Sequence, residues 1–231
     1  MLVLVDLDDT LCNTWEAGKR AMLRAIPFLL RRRKFRALFY FLTARYRGLE
    51  GLKRLHTLDL HELVEELFRG IYPGISGEEL VEFSAFLENH FFRHLRLYED
   101  ALPFLRSLKG LGAKLVLVTD SSTNWQRKKL KVLGIEEYFD DVIISGETGH
   151  SKFEDYNFRL ALERFPDSEV YVVGDRDETD MAGARAIGAV GILVRRGYFS
   201  GRKVRNADYV VKDLLEALEV IKREHKKRNQ A

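Results

Sequence analysis

The sequence predicts an α/β protein, a doubly wound parallel sheet with an all-helical segment inserted after its first strand. Three observations carry this. Residues 2–5, Leu-Val-Leu-Val, are an apolar run too short for a helix and ending in carboxylates, which suits a strand buried on both faces. From residue 99 onward, helical periodicity alternates with short apolar runs, as in strands joined by crossover helices. Between the two, residues 14–96 show helical spacing and no convincing strand.

Taken in order, the first predicted helix covers residues 17–26, with Pro27 as its end or kink. Phe35, Leu38, Phe39, Leu42 and Tyr46 recur at helical spacing, giving one apolar face and a basic remainder. Asp59 with Glu62 and Ser76 with Glu79 read as capping boxes, opening helices over about 61–69 and 77–92, with a turn over 72–77 between them. A helix over 101–109 has Asp100 as its expected cap and leads to a strand over 114–118. A helix ending at Leu133 is closed by Gly134. Strands over 141–144, 170–173, 190–194 and 209–211 follow, with helices over 155–164, 180–187 and 213–227 among them. The expected division is a core of residues 1–13 and 97–231 with a helical cap of residues 14–96.

The chain has 231 residues, 46% of them hydrophobic and 32% charged, which fits a soluble globular protein. Its one cysteine, Cys12, excludes a disulfide framework and a cysteine-based metal site. No basic segment precedes the first apolar strand and no apolar run approaches a membrane span, so a cytoplasmic location is the default expectation. The net charge of +3 hides an asymmetry: ten Lys and Arg and no acid lie between residues 17 and 49, so the rest of the chain is net acidic. Read as structure, that block is a solvated helix face. Read as function, it steers phosphorylated substrates or rests against an anionic surface. No nucleic-acid partner is expected.

Function concentrates at the strand ends. Asp6 and Asp8, two apart where the first strand stops, project from the same side of the backbone, at the edge of a parallel sheet where ligands bind. Two carboxylates there repel unless a cation or a shared proton compensates, and an oxygen-only ligand set suits a hard ion such as Mg²⁺. Alone, Asp8-Asp9-Thr10 would read as readily as a cap on a turn. Three further strand ends carry polar groups: Thr119-Asp120-Ser121 at a helix start, where an anion is favoured; Lys152 in the loop after the third strand; and Asp175 and Asp180 in the acidic turn after the fourth.

In this order and spacing the four signals resemble the haloacid dehalogenase (HAD) superfamily, and within it the aspartate-nucleophile phosphatases. Asp6-Leu-Asp8-Asp9-Thr10 matches the first motif of that superfamily (Asp-x-Asp-x-Thr after an apolar strand), Thr119 the second, Lys152 the third, and Asp175 with Asp180 the fourth. The resemblance covers nearly all of residues 1–197. It implies a HAD-like Rossmannoid core with an inserted cap and a Mg²⁺-dependent hydrolysis of a small phosphate monoester, with phosphoglycolate or a sugar phosphate as representative substrates. It implies Asp6 as nucleophile, Asp8 as proton donor and then base, and Thr119, Asp120 and Lys152 around the phosphoryl group. The metal would take Asp6, the Asp8 backbone carbonyl, Asp175 and, directly or through water, Asp180.

Departures from the family pattern are Phe153, where many relatives have Pro, and Asp120, where Asn is common. Asp177 competes with Asp180 as the outer metal ligand. The alternatives are a phosphomutase of the same superfamily, which keeps phosphate on its product, and a phosphorylation-dependent signalling module like the response-regulator receivers. A receiver has its attacking and metal-binding acids in the opposite order. His90 and His94 have metal-ligand spacing but no third partner near in sequence. His150 reads as a loop residue within reach of the site, Trp125 as packing, and Trp15 as packing or an entrance wall.

Overall fold

The structure is a computed structural model that describes residues 1–33 and 76–230. The Asp59–Glu62 box, the helix over 61–69, the apolar face from Phe35 to Tyr46, most of the turn over 72–77 and part of the basic block lie outside the described residues. Six parallel strands form one sheet: β1 (Leu2–Val5), β2 (Lys114–Thr119), β3 (Asp141–Ile144), β4 (Val170–Gly174), β5 (Val190–Val194) and β6 (Tyr209–Val211). Their order is β3-β2-β1-β4-β5-β6. The chain builds outward from β1 to β3 on one side, then returns across β1 to start β4. That reversal opens a crevice at the carboxyl ends of β1 and β4, and Asp6 follows β1 directly into it.

Period-two alternation explains why the strands are apolar throughout. Val3, Val5, Leu115, Leu117, Tyr171, Val173, Ile192 and Val194 face one layer, where they meet Phe104, Leu105 and Leu108 of α3 (Ala101–Gly110) and Leu214, Leu218 and Ile221 of α8 (Leu214–Arg228). Leu2, Leu4, Val116, Val118, Val170, Val172 and Leu193 face the other layer. There they meet Phe158 and Ala161 of α6 (Tyr156–Arg164), and Met181 and Ala184 around α7 (Ala182–Ala186).

Two long helices flank the undescribed segment, α1 (Thr14–Arg31) and α2 (Gly77–His94). They bury a cluster of their own: Ala25 and Leu29 against Leu80, Phe83 and Leu87. The predicted capping box is present at α2, where Ser76 accepts from the Glu79 amide and Glu79 from the Ser76 amide. Where the chain enters and leaves this helix pair, its two passes lie side by side. The Asn13 amide donates to Arg96 O at 3.0 Å, the Arg96 amide to Asn13 Oδ1 at 2.7 Å, and the Tyr98 amide to Leu11 O at 3.0 Å.

Three local expectations are corrected. Helix α1 starts at Thr14 and runs through Pro27 to Arg31; burial of Leu29 and Phe28 against α2 outweighs the one backbone hydrogen bond that proline removes. Asp100 occupies the cap position of α3 as expected, its carbonyl accepting from the Phe104 amide at 3.0 Å, but its side chain makes no cap hydrogen bond. Its carboxylate instead takes both terminal Arg196 nitrogens, at 3.0 and 2.6 Å, and the Leu214 amide at 2.7 Å, since a two-bond fork between opposite charges is stronger than one carboxylate–amide cap contact. Residues read as loop after β3 form one helical turn, α5 (Ser145–Thr148), ended by Gly149 in the left-handed region.

Candidate active site

Asp6 extends β1 by one residue, its amide donating to Val173 O at 3.0 Å. Its carboxylate lies in the crevice with those of Asp175 and Asp180, and one oxygen from each falls within 4.8 Å of the others. All three residues are buried. Lys152 Nζ reaches in from the loop after β3, 2.5 Å from Asp6 Oδ1, 2.5 Å from Asp180 Oδ1 and 3.2 Å from Val118 O.

Asp180 reaches the cluster because of two local features. Residues Asp177–Met181 form a π-helical turn, a widening common at functional sites. It lets Asp180 fold back so that its Oδ2 accepts from the Arg176 amide at 3.1 Å. In addition, Gly174 has no side chain where Asp180 sits, and a Cβ there would collide with the Asp180 carboxylate. The helix expected to begin at Asp180 thus begins as this turn, because the cluster needs its first residues off the regular helical path.

Charge counting shows what fits. Three buried carboxylates face one ammonium, leaving two negative charges uncompensated. Burial, with the charges of Asp180 and Asp8 outweighing the pull of Lys152, pushes Asp6 up to about 7. Burial and the charges of Asp6 and Asp180 push Asp175 well above the usual carboxylate range. Burial alone would lower Lys152, but Asp180, Asp6 and Asp120 hold its ammonium form. A divalent cation with oxygen preference supplies the missing charge without protonating the carboxylates, so the residues present fit Mg²⁺.

Asp8 has a separate environment. Its Oδ1 accepts from Lys129 Nζ at 2.6 Å and from the Thr14 hydroxyl, and its Oδ2 from Gln126 Nε2 at 2.8 Å. Burial works to raise its pKa, yet the Lys129 charge and these hydrogen bonds hold it below the ordinary value. Lys129 and Gln126 come from α4 (Thr123–Leu133). Neither was singled out from the sequence. Lys129 lies in the run Arg127-Lys128-Lys129, which reads as a solvated face until burial is known.

Thr119 is fully buried at the end of β2 and its hydroxyl accepts from Gln126 Nε2 at 2.9 Å. Asp120 turns its carboxylate onto the Lys152 amide, at 2.9 and 3.2 Å, which fixes the loop that delivers Lys152. Asp177 is buried but holds the Arg205 and Asn206 amides at 3.0 and 2.9 Å, outside the group that can share an ion. Asp9 adopts φ 57° and accepts from the Trp15 and Tyr198 amides; burial pushes it up to about 6. Trp15 packs on Tyr198 at 4.6 Å, and Trp125 on Phe91 and Phe92. His150 is engaged by Glu154 at 2.7 Å and stacks on Tyr156. His90 packs on Phe86, and among the described residues the group able to share an ion is Asp6, Asp175 and Asp180.

Known proteins resemble this chain in sequence and in fold. The curated glyceraldehyde 3-phosphate phosphatase of Methanopyrus kandleri is 38% identical over 122 residues, 52% of each chain. One of the same description from Pyrococcus furiosus is 26% identical over 97% of this chain and 94% of that one. The chain thus spans about half the length of the curated relatives it matches at the higher identity. Among solved structures, a HAD phosphatase from Thermococcus onnurineus superimposes with a TM-score of 0.68 at 25% identity, over 95% of this chain and 97% of that one. A family model described as haloacid dehalogenase-like hydrolase matches residues 1–188. With a parallel sheet that carries its acids at the switch point and a family match over most of its length, the chain belongs to the haloacid dehalogenase-like hydrolases.

Proposed function

We propose that the protein is a Mg²⁺-dependent phosphatase that hydrolyses a small phosphate monoester through an aspartyl-phosphate on Asp6. The observation that carries this is the division of labour between two acids two residues apart. Asp6 lies in an electron-rich cluster with Asp175, Asp180 and Lys152, whereas Asp8 stands beside it on its own cation. Relatives described as phosphatases of glyceraldehyde 3-phosphate, phosphoserine and ribulose 1,5-bisphosphate support a small phosphorylated metabolite as substrate.

In the first step an Asp6 oxygen bonds to phosphorus as the bond to the leaving oxygen breaks, and the acid form of Asp8 gives that oxygen a proton. In the second step water attacks the phosphorus, Asp8 takes its proton, and the bond to Asp6 breaks to free phosphate. Lys152 and Thr119 hold the phosphoryl oxygens, and Asp120 secures the Lys152 loop. Mg²⁺, held by Asp6, Asp175, Asp180 and the backbone carbonyl of Asp8, would supply positive charge against the phosphate.

Residues 14–96 act in this reading as a cap over a core of residues 1–13 and 97–231. The separate hydrophobic cluster of α1 and α2 and the paired chain crossings at Asn13 and Arg96 support that division. A cap that closes over the crevice excludes water and selects the ester. The test is phosphate release from a panel of small esters, with and without Mg²⁺, alongside Asp6→Asn. Release that requires Mg²⁺ and vanishes in Asp6→Asn is expected; no release from any ester, or an undiminished rate in Asp6→Asn, overturns the reading.

A further inference from the structure

We infer that Lys129 and Gln126 are positioning residues for the reaction, acting through Asp8. This rests on the phosphatase reading, and extends it to two side chains outside the phosphate and metal cluster. Lys129 is 2% exposed. A lysine loses much hydration on such burial and is retained there only with a strong partner; its hydrogen-bond partner is Asp8 Oδ1 at 2.6 Å. Its Nζ also lies over the Phe91 ring of α2 and the Trp125 ring of α4, at 5.8 and 5.6 Å from their centroids.

Gln126 completes the arrangement. One helical turn before Lys129, its Nε2 divides two N–H groups among three acceptors: Asp8 Oδ2 at 2.8 Å, Thr119 Oγ1 at 2.9 Å and Asp120 O at 2.6 Å. Its opposite atom, Oε1, is buried without a partner among the described residues. The orientation follows from the charge of Asp8, because the flipped amide would set an oxygen against a carboxylate. Both Asp8 oxygens are therefore fixed from one helix face, and the same amide ties Asp8 to the Thr119 hydroxyl.

A side chain that transfers protons in both half-reactions needs its position held to a fraction of an ångström. Neither Lys129 nor Gln126 has to touch the phosphate for this. Removing the lysine leaves Asp8 Oδ1 to the Thr14 hydroxyl and Oδ2 to Gln126, which loosens Asp8 at the leaving-oxygen position, while the Asp6, Lys152, Asp175 and Asp180 cluster keeps every contact it has.

The test uses the full chain with Mg²⁺ and compares wild type, Lys129→Met, Lys129→Arg and Gln126→Leu on p-nitrophenyl phosphate and glycerol phosphate. For Lys129→Met, kcat on both esters is expected to fall about 10²-fold, the low end of a general acid–base contribution, with KM within about threefold. Stopped-flow on p-nitrophenyl phosphate should show a stoichiometric burst of nitrophenolate. That leaving group departs without a proton, while the aspartyl-phosphate waits for a water that Asp8 no longer activates. Lys129→Arg keeps the cation and should recover part of kcat; Gln126→Leu should lose less than Lys129→Met, in the same direction. Should Lys129→Met fail to melt cooperatively, the Gln126→Leu burst and kcat decide the matter. Wild-type kcat in both Lys129→Met and Gln126→Leu, or parallel loss of kcat and rise of KM with no burst, overturns the inference while leaving the phosphatase reading intact. A wild-type protein that releases no phosphate overturns both.

Discussion

Asp140 and Asp6 both stand at strand ends, at opposite edges of the same sheet. At the amino edge Asp140 accepts from Lys109 at 2.8 Å, Lys114 at 3.0 Å and the Leu115 amide at 2.9 Å. Burial works to raise it, yet these partners hold it down at about 2. Its neighbours on that edge are equally provided for: Asp167 takes the terminal ammonium at 2.6 Å, and Glu169 takes the Tyr171 hydroxyl at 2.7 Å and His225 at 2.8 Å. At the carboxyl edge three acids share Lys152, and Asp6 rises to about 7. One edge supplies more partners than its charges need, which stabilises the fold; the other supplies fewer, which costs stability and leaves negative charge that a cation would offset.

The largest test of this contrast is Asp6→Asn. Loss of the proposed nucleophile should lower phosphate release by on the order of 10⁴-fold, while the metal-free protein becomes more stable at pH 8. The sign follows from linkage: the folded pKa of about 7 exceeds the ordinary carboxylate value of 3.8, so Asp6 costs stability progressively from about pH 4 to pH 7, and neutralising it recovers that cost above this window and not below it. Thermal melts of metal-stripped protein at pH 4 and pH 8 check it, and a lower Tm at pH 8 would break the contrast. Next, Gly174→Ala should cut kcat by about 10²-fold, as ångström-scale misplacement of a site residue does, because the added methyl displaces Asp180. Mg²⁺ titration of the variant, followed by its Tm, should show weakened binding.

Mg²⁺ itself should stabilise the stripped wild type by about 2.7 kcal/mol at a hundredfold excess over Kd. The gain should shrink between pH 8 and pH 5, where protons compete for the carboxylates; a pH-independent gain would place the ion elsewhere. The smallest effect belongs to the opposite edge. Asp140→Asn should destabilise by about 1 kcal/mol, a few degrees in Tm, after allowance for its exposed partners. Its depressed pKa means this contribution is present above about pH 4 and lost as pH falls toward 2. Phosphate release at neutral pH should be unchanged, and a change in kcat would show that the two edges are coupled.

Which features could be read from sequence follows the same division. The strands were legible because two-faced burial leaves uninterrupted apolar runs, and the positions of Asp6, Thr119 and Asp175 at strand ends because that is where such runs stop; Lys152, eight residues beyond β3, stood out only through its place in the ordered set of motifs. Helix ends marked by Ser76 and Gly134 were legible from chemistry that acts within four residues. What sequence did not show depends on partners far along the chain. Asp100 turned to Arg196, 96 residues away, rather than to its own helix. Lys129 is separated from Asp8 by 121 residues and stands in a basic run that local pattern assigns to solvent. The π-helical turn at Asp177–Met181 was hidden for a related reason, since it answers to the position of Gly174 and Lys152 and not to helical propensity.

The paired crossings at Asn13 and Arg96 bear on how such a chain can change over time. Because the stretch of chain that leaves the sheet and the one that returns are already hydrogen-bonded to each other, the ends of everything between them are held at a fixed spacing. A segment of another length or composition grafted between those ends would meet the same two anchors and leave the sheet register untouched, and the entropy of closing the longer or shorter loop changes only slowly with its length. Asn13 is in this sense a splice point: on the proposed division into cap and core, an exchange made there would alter selectivity and leave the strand-end acids in place.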